Sequence, residues 1–240
     1  MVSNDVAALT PGDVCDALLL TPKARVIAPL RIVRRSSDDF LLLTEAELGE
    51  TVRDHLLRFR FAARAEIESE EHESYLAFGD VAPDASLILP LDDYGRPAWE
   101  VVGAAPPDSV ERIDEAELER MRIEAGTPRY GREIDERVLP AEAGLVERAV
   151  SLTKGCYPGQ EPIARLHYRG HANRALRVLA IEGDKLPDPD AEIRRGDKVV
   201  GRVTSSARSN GGVVALGYVR VEVPLDAELA VGSGRARSLH

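Results

Sequence analysis

After Gly170 the sequence changes character. Residues 176–181, 199–204 and 213–221 are short apolar runs. Pro187-Asp188-Pro189, Arg195-Gly196-Asp197 and Asn210-Gly211-Gly212 separate them with turn chemistry, and no helical period is visible. Short strands joined by tight turns leave edges open to foreign pairing unless the sheet closes on itself. Residues 173–240 are therefore expected to form a small antiparallel β-barrel. Gly201 and the later glycines are read as barrel turns.

Residues 1–172 read differently. Pro11-Gly12 marks a turn. Residues 24–33 and 40–43 read as two strands joined through Asp38-Asp39, a hairpin. Thr44-Glu45-Ala46-Glu47 has capping-box spacing, and Leu48, Val52, Leu56 and Phe59 follow at helical intervals. Phe61, Ala63, Ala65 and Ile67 alternate as a strand would. Residues 75–78, 87–91 and 99–102 read as further strands. Asp114 with Glu117 caps a helix that ends at Gly126. Its acidic residues Glu111, Asp114, Glu115, Glu117 and Glu119 are expected to form a solvated face. A short helix is expected over 141–150. Strands and helices in this order predict an α+β region followed by the barrel, with domains at 1–172 and 173–240.

The 240 residues are 44% hydrophobic and 30% charged, which is the composition of a folded globular chain. The net charge of −10 argues against nucleic acid or an anionic membrane as partner. Two cysteines, Cys15 and Cys156, exclude a disulfide framework and point to a reducing cytoplasm. No apolar run reaches the roughly 20 residues of a membrane span, and the first residues show no signal-peptide pattern. Neither G-x-S-x-G nor a P-loop string occurs.

The densest chemistry is Lys154-Gly155-Cys156-Tyr157-Pro158-Gly159-Gln160-Glu161. Gly155 and Gly159 are able to take φ > 0, and Pro158 fixes the bend between them. A cysteine in such a turn, two residues from a lysine, is either a partly exposed thiol biased toward thiolate or an inert space-filler. A stable iron–sulfur cluster needs about four ligands, mostly cysteines, which this chain lacks. Zinc on Cys156, His167 and His171 lacks a fourth ligand, so no metal site is expected. Cys15 is read as core.

Three further strings surround that motif: 122–133 (Arg-Ile-Glu-Ala-Gly-Thr-Pro-Arg-Tyr-Gly-Arg-Glu), 140–145 and 164–170. Together they resemble folate-binding proteins related to the T-protein (aminomethyltransferase) of glycine cleavage. The motif at 154–161 resembles the K-G-C-Y/F-x-G-Q-E signature of the YgfZ-type branch, which is associated with folate-dependent assembly or repair of iron–sulfur clusters. The resemblance implies a T-protein-like sheet and helix region before the barrel. It implies tetrahydrofolate or another reduced folate as ligand, and iron–sulfur client or assembly proteins as partners. The family's T-N-D-V string matches Ser3-Asn4-Asp5-Val6 almost at the first residue, which implies that the family's first strand and helix are missing here.

The resemblance also distributes roles. Glu124 would accept the two parallel N–H groups of a pterin, which a single carboxylate can do. Arg165 or Arg169 would fork onto the glutamate tail. Tyr157 and Trp99 are aromatic walls for the ring, or ordinary core. Cys156 would supply thiol chemistry. The T-proteins carry a catalytic aspartate in a segment that matches residues 23–30, where Ala28 and Pro29 stand instead. Folate binding without ordinary glycine-cleavage activity is therefore expected. Two alternatives stand beside it. One is a one-carbon transferase that uses Asp5. The other is a non-catalytic binding module with a degenerate folate site.

Overall fold

The computed structural model describes residues 1–60 and 64–239. The chain divides into two compact units, Met1–Glu70 with Ile134–Ala172, and Glu71–Glu133 with Asn173–His240. One unit boundary falls at 172/173. Two more, at 70/71 and 133/134, assign residues 71–133 to the same unit as the barrel.

The first unit is built on a three-stranded antiparallel sheet. Its strands are β1 (Val14–Leu20), β2 (Val26–Arg34) and β3 (Phe40–Leu43), with β2 in the centre. The expected hairpin is β2–β3, and β1 pairs on the other side of β2. The run Leu18, Leu19 and Leu20 is almost fully buried. The link from β1 to β2 turns through Ala24, a non-glycine residue at φ 57° whose side chain is fully buried. The helix α1 (Gly49–Phe59) buries Val52 and Leu56.

Three expectations fail locally here. Thr44 does not cap α1, because its hydroxyl donates to the Pro29 carbonyl at 2.8 Å. The strand expected at 61–67 starts in residues that lie outside the described ones, and 64–67 form no strand. The helix expected over 141–150 shortens to α3 (Val146–Ala149). Pro140 and Gly144 (φ 72°) hold the preceding residues in turns, with the Leu145 N–H donating to the Pro140 carbonyl. α4 (Gln160–Arg169) closes this unit.

The second unit holds a small antiparallel sheet and a closed barrel. Strand β6 (Ala98–Val102) lies between β4 (Ser74–Phe78) and β5 (Ile88–Leu91). The barrel strands are β7 (Arg174–Ile181), β8 (Glu192–Arg195), β9 (Lys198–Ser209), β10 (Gly212–Arg220), β11 (Leu229–Val231) and β12 (Gly234–Ser238). They close in the order β10-β7-β12-β11-β8-β9. Leu179, Ile193, Val203, Ala215 and Val219 are fully buried in the barrel interior. Gly201 is not a turn residue. It lies within β9, where a Cβ would stand 2.2 Å from the Tyr218 carbonyl oxygen, so only glycine lets the strands approach there.

The helix α2 (Glu115–Ala125) begins at Asp114, whose carboxylate accepts the Glu117 N–H at 2.7 Å, and ends at Gly126 in the left-handed conformation. It packs against β9 and β10 through Ile123, which is fully buried with Val178, Ala207, Val214 and Leu216. A buried ion pair adds to this contact. Arg122 Nη1 donates to Glu133 Oε2 at 3.0 Å, with the two side chains 6% and 0% exposed. Ser205 of β9 donates to Glu133 Oε1 at 2.6 Å, and the Tyr218 hydroxyl of β10 donates to the Glu133 carbonyl at 2.8 Å.

Removing one partner of a buried, fully bonded pair strands the other charge. Glu133→Ala is therefore expected to cost about 3–5 kcal/mol, seen as a lower urea midpoint. A loss below about 1 kcal/mol, the size of an exposed ion pair, would mean the pair does not organise this unit.

Candidate functional site

In the first unit, the sequence motif forms a loop that leads into α4. Lys154 does not point into solvent. Its ammonium donates to the carbonyls of Val2 (3.0 Å) and Asn4 (2.8 Å) and lies 5.7 Å above the Tyr157 ring. The Ser3–Asp5 segment is fastened on its other side as well. The Ser3 hydroxyl donates to the Ala149 carbonyl at 2.6 Å and accepts the Leu18 N–H at 2.7 Å. The Asn4 amide donates to the Asp16 carbonyl at 2.7 Å. Burial pushes the Lys154 pKa below its ordinary value, while the charges of Asp5 and then Cys15 act to raise it.

Lys154 is thus an electrostatic neighbour of Cys15, which is half-buried on β1 rather than in the core. Burial pushes the Cys15 thiol up, with Asp16 and Asp5 adding to that and Lys154 opposing. Asp16 itself is occupied, pairing with Arg148 at 2.6 Å and Arg31 at 3.6 Å. Cys156 is exposed, which excludes the reading of an inert, buried space-filler.

The rest of the motif separates into residues held by the fold and residues that are not. Tyr157 is 7% exposed and its hydroxyl donates to the Ser151 carbonyl at 3.3 Å; burial raises its pKa. The Gln160 amide donates to the Lys154 carbonyl at 3.3 Å. Gly159 has φ 84°, and a Cβ there would fall 2.8 Å from the Thr21 carbonyl and 2.9 Å from Ala24 Cα. Gly155 does not take a positive φ, contrary to the sequence expectation, and a Cβ on it would meet nothing within 4 Å. Glu161, Arg165 and Arg169 are exposed on α4, the two arginines one turn apart. His167 and His171 are exposed too, and among the described residues no group of three or more His, Cys, Asp or Glu is placed to hold a metal ion.

In the second unit, Glu124 sits at the end of α2 with its side chain 35% exposed. Arg120 Nη1 donates to its Oε2 at 2.5 Å, and the Ser209 hydroxyl donates to its Oε1 at 2.7 Å. Arg120 also forks onto Glu117, and these bonds raise its pKa. A carboxylate offers about four acceptor positions, so two remain for a ligand. Trp99 on β6 is half-buried, with its indole N–H donating to the Gly79 carbonyl at 3.1 Å. The acidic side chains of α2 are not simply a solvated face. Glu119 accepts a fork from Arg122 and lies 3.4 Å from Arg129. Burial would raise its pKa, but the Arg122 hydrogen bond and the charges of Arg122, Arg129 and Arg132 hold it below the usual value.

Comparison with known proteins gives this geometry a context. No family model matches the chain. The tRNA-modifying protein YgfZ of Edwardsiella ictaluri is 29% identical, over 90% of this chain and 75% of its own. An aminomethyltransferase of Corynebacterium jeikeium is 36% identical, over 68% of this chain and 44% of its own. The chain is similar in sequence to both YgfZ and the aminomethyltransferases. The crystal structure of the glycine cleavage system aminomethyltransferase T from Bartonella henselae shares the fold. It has a TM-score of 0.81 at 20% identity, covering 100% of this chain and 78% of that one. Within the string Arg122-Ile123-Glu124, Arg122 is buried and Glu124 is accessible. No helix of the described residues is long and apolar enough to cross a membrane.

The contrast between the two motif glycines is testable. Gly159→Ala forces a backbone clash at a left-handed φ and is expected to destabilise the protein by about 2 kcal/mol or more. Gly155→Ala is expected to leave the thermal midpoint unchanged. Equal midpoints for both variants would contradict the assignment of Gly159 to packing. The thiols differ as well. Alkylation at pH 7 should modify Cys156 well before Cys15, and Cys15 in a Cys156→Ser variant should become reactive only at higher pH.

Proposed function

We propose that this chain binds tetrahydrofolate or another reduced folate and supports the assembly or repair of iron–sulfur clusters in the cytoplasm. The observation that carries the folate reading is the Glu124 carboxylate. Arg120 and Ser209 fix its plane and leave acceptor positions that suit the adjacent 2-amino and ring N–H donors of a pterin. In the first unit, considered by itself, Arg165 and Arg169 are the candidates for binding a carboxylate. Trp99, half-buried in the same unit as Glu124, is the aromatic candidate for the ring, whereas Tyr157 is buried in the first unit.

Cys156 supplies a single exposed thiol for contact with an iron–sulfur client or assembly protein. Lys154, Gly159 and Gln160 hold its loop, whereas Gly155 has no packing role and is read as part of the contact surface, with Glu161 at its edge. Relatives described as tRNA-modifying fit an indirect part in that process. A chain with a net charge of −10 is a poor binder of RNA itself.

A second reading, one-carbon transfer, has one observation in its favour. The strand β2 carries no acid at Ala28 or Pro29, but the Ser3–Asp5 segment brings Asp5 within electrostatic reach of Lys154 and Cys15. Turnover of an aminomethyl donor that is abolished in Asp5→Asn would favour it.

Calorimetric titration of tetrahydrofolate under anaerobic, reducing conditions tests the first reading. Saturable binding is expected for the wild type and for Cys156→Ser. Glu124→Gln is expected to weaken it by about tenfold to a hundredfold, the value of one to two charge-assisted hydrogen bonds. Well-folded wild type that binds no reduced folate would favour a degenerate site.

A further inference from the structure

The helix α2 presents two polar faces. At about 100° per residue, Glu117, Arg120 and Glu124 lie along one side, and Glu115, Leu118, Glu119 and Arg122 along the other. The first side carries the candidate folate carboxylate. The second side lines a separate cavity of about 640 Å³, and Glu124 is not part of its wall. That volume falls within the range of small-molecule sites.

The wall combines flat apolar surface with cationic arms. Tyr94, Pro187 and Pro189 supply the flat surface, and Arg129 and Arg132 supply the arms. The other charges are largely matched. Arg122 is spent on Glu119, Glu133 and the Thr127 carbonyl. Glu119 is shared between Arg122 and Arg129, and the longer 3.4 Å contact to Arg129 is the weaker one. Glu115 is exposed in the first turn of α2. The Arg132 backbone N–H donates to the Arg129 carbonyl at 3.3 Å, but its side chain makes no hydrogen bond or ion pair among the described residues. Its guanidinium is a planar fork suited to carboxylate and phosphate, within charge range of Glu119 but not hydrogen-bonded to it, on a cavity wall.

We propose that this cavity binds a small planar anion, an aromatic or heterocyclic ring bearing one carboxylate or phosphate. Arg132 takes the anionic group, with Arg129 beside it, and the ring lies against Tyr94 and the two prolines. The site is distinct from the folate reading, because it uses the opposite face of α2.

Titration calorimetry on the full chain with AMP and with 4-hydroxybenzoate tests this, using adenosine and inorganic phosphate as half-ligands. At least one ring anion is expected to bind saturably, and which of the two binds identifies phosphate or carboxylate as the anchor. Arg132→Gln should weaken it by about tenfold or more, the value of one charge-assisted bond, with an unchanged thermal midpoint. Glu124→Gln should leave it unaffected. The proposal is overturned if neither ring anion binds at millimolar concentration, or if Arg132→Gln has no effect. It is also overturned if adenosine or phosphate alone binds as tightly as AMP, or if Glu124→Gln abolishes the binding.

Discussion

The buried pair between Arg122 and Glu133 organises the second unit. It joins α2 to the segment that follows it, and Ser205 and Tyr218 carry the connection into two barrel strands. Two ions removed from water need every lone pair and proton satisfied, or the penalty outweighs their attraction. Glu133 meets that condition with donors from Arg122, Ser205 and the Arg129 N–H. The two-residue spacing of Arg122 and Glu124 follows from this. Residues two apart on a helix point about 200° apart, so an arginine turned inward leaves the glutamate on another side of the helix. There Glu124 meets Arg120 and Ser209 instead of the buried pair.

The cysteine motif shows a similar division between residues that build and residues that are presented. Lys154 ties the loop to the chain's first residues, Tyr157 is packed beneath it, and Gly159 permits the approach to the Thr21–Ala24 turn. What these residues leave exposed is the dipeptide Gly155-Cys156 in the loop and Glu161 at the start of α4. A signature of eight residues therefore contains a small exposed part on a larger structural one, and substituting the structural part acts through stability.

Local chemistry made much of the fold legible. The Asp114 and Gly126 caps bound α2 as read, the β2–β3 hairpin formed, and the turn signals after Gly170 marked a closed barrel. What failed was local chemistry that a distant partner overrode. Thr44 has capping spacing, but its hydroxyl serves the Pro29 carbonyl. Glu119 reads as surface acid, yet it is clamped between arginines. The candidate site is marked in the sequence at Glu124 and Cys156, which carry distinctive strings and are accessible in the structure. It was not legible at Ser205 and Ser209, which lie 72 and 85 residues from their carboxylate partners in strands where serine carries no signal. Cys15 was misplaced because a single cysteine in an apolar strand looks like core, whereas β1 leaves it half-exposed.

The central claim is that the Glu124 carboxylate receives the pterin. A crystal structure of the chain with tetrahydrofolate tests it most directly. The account predicts the pterin 2-amino and ring N–H groups within hydrogen-bond distance of Glu124, with Arg120 and Ser209 still holding the same carboxylate. A pterin seated on other residues, with Glu124 unchanged and bonded only to Arg120 and Ser209, would contradict it.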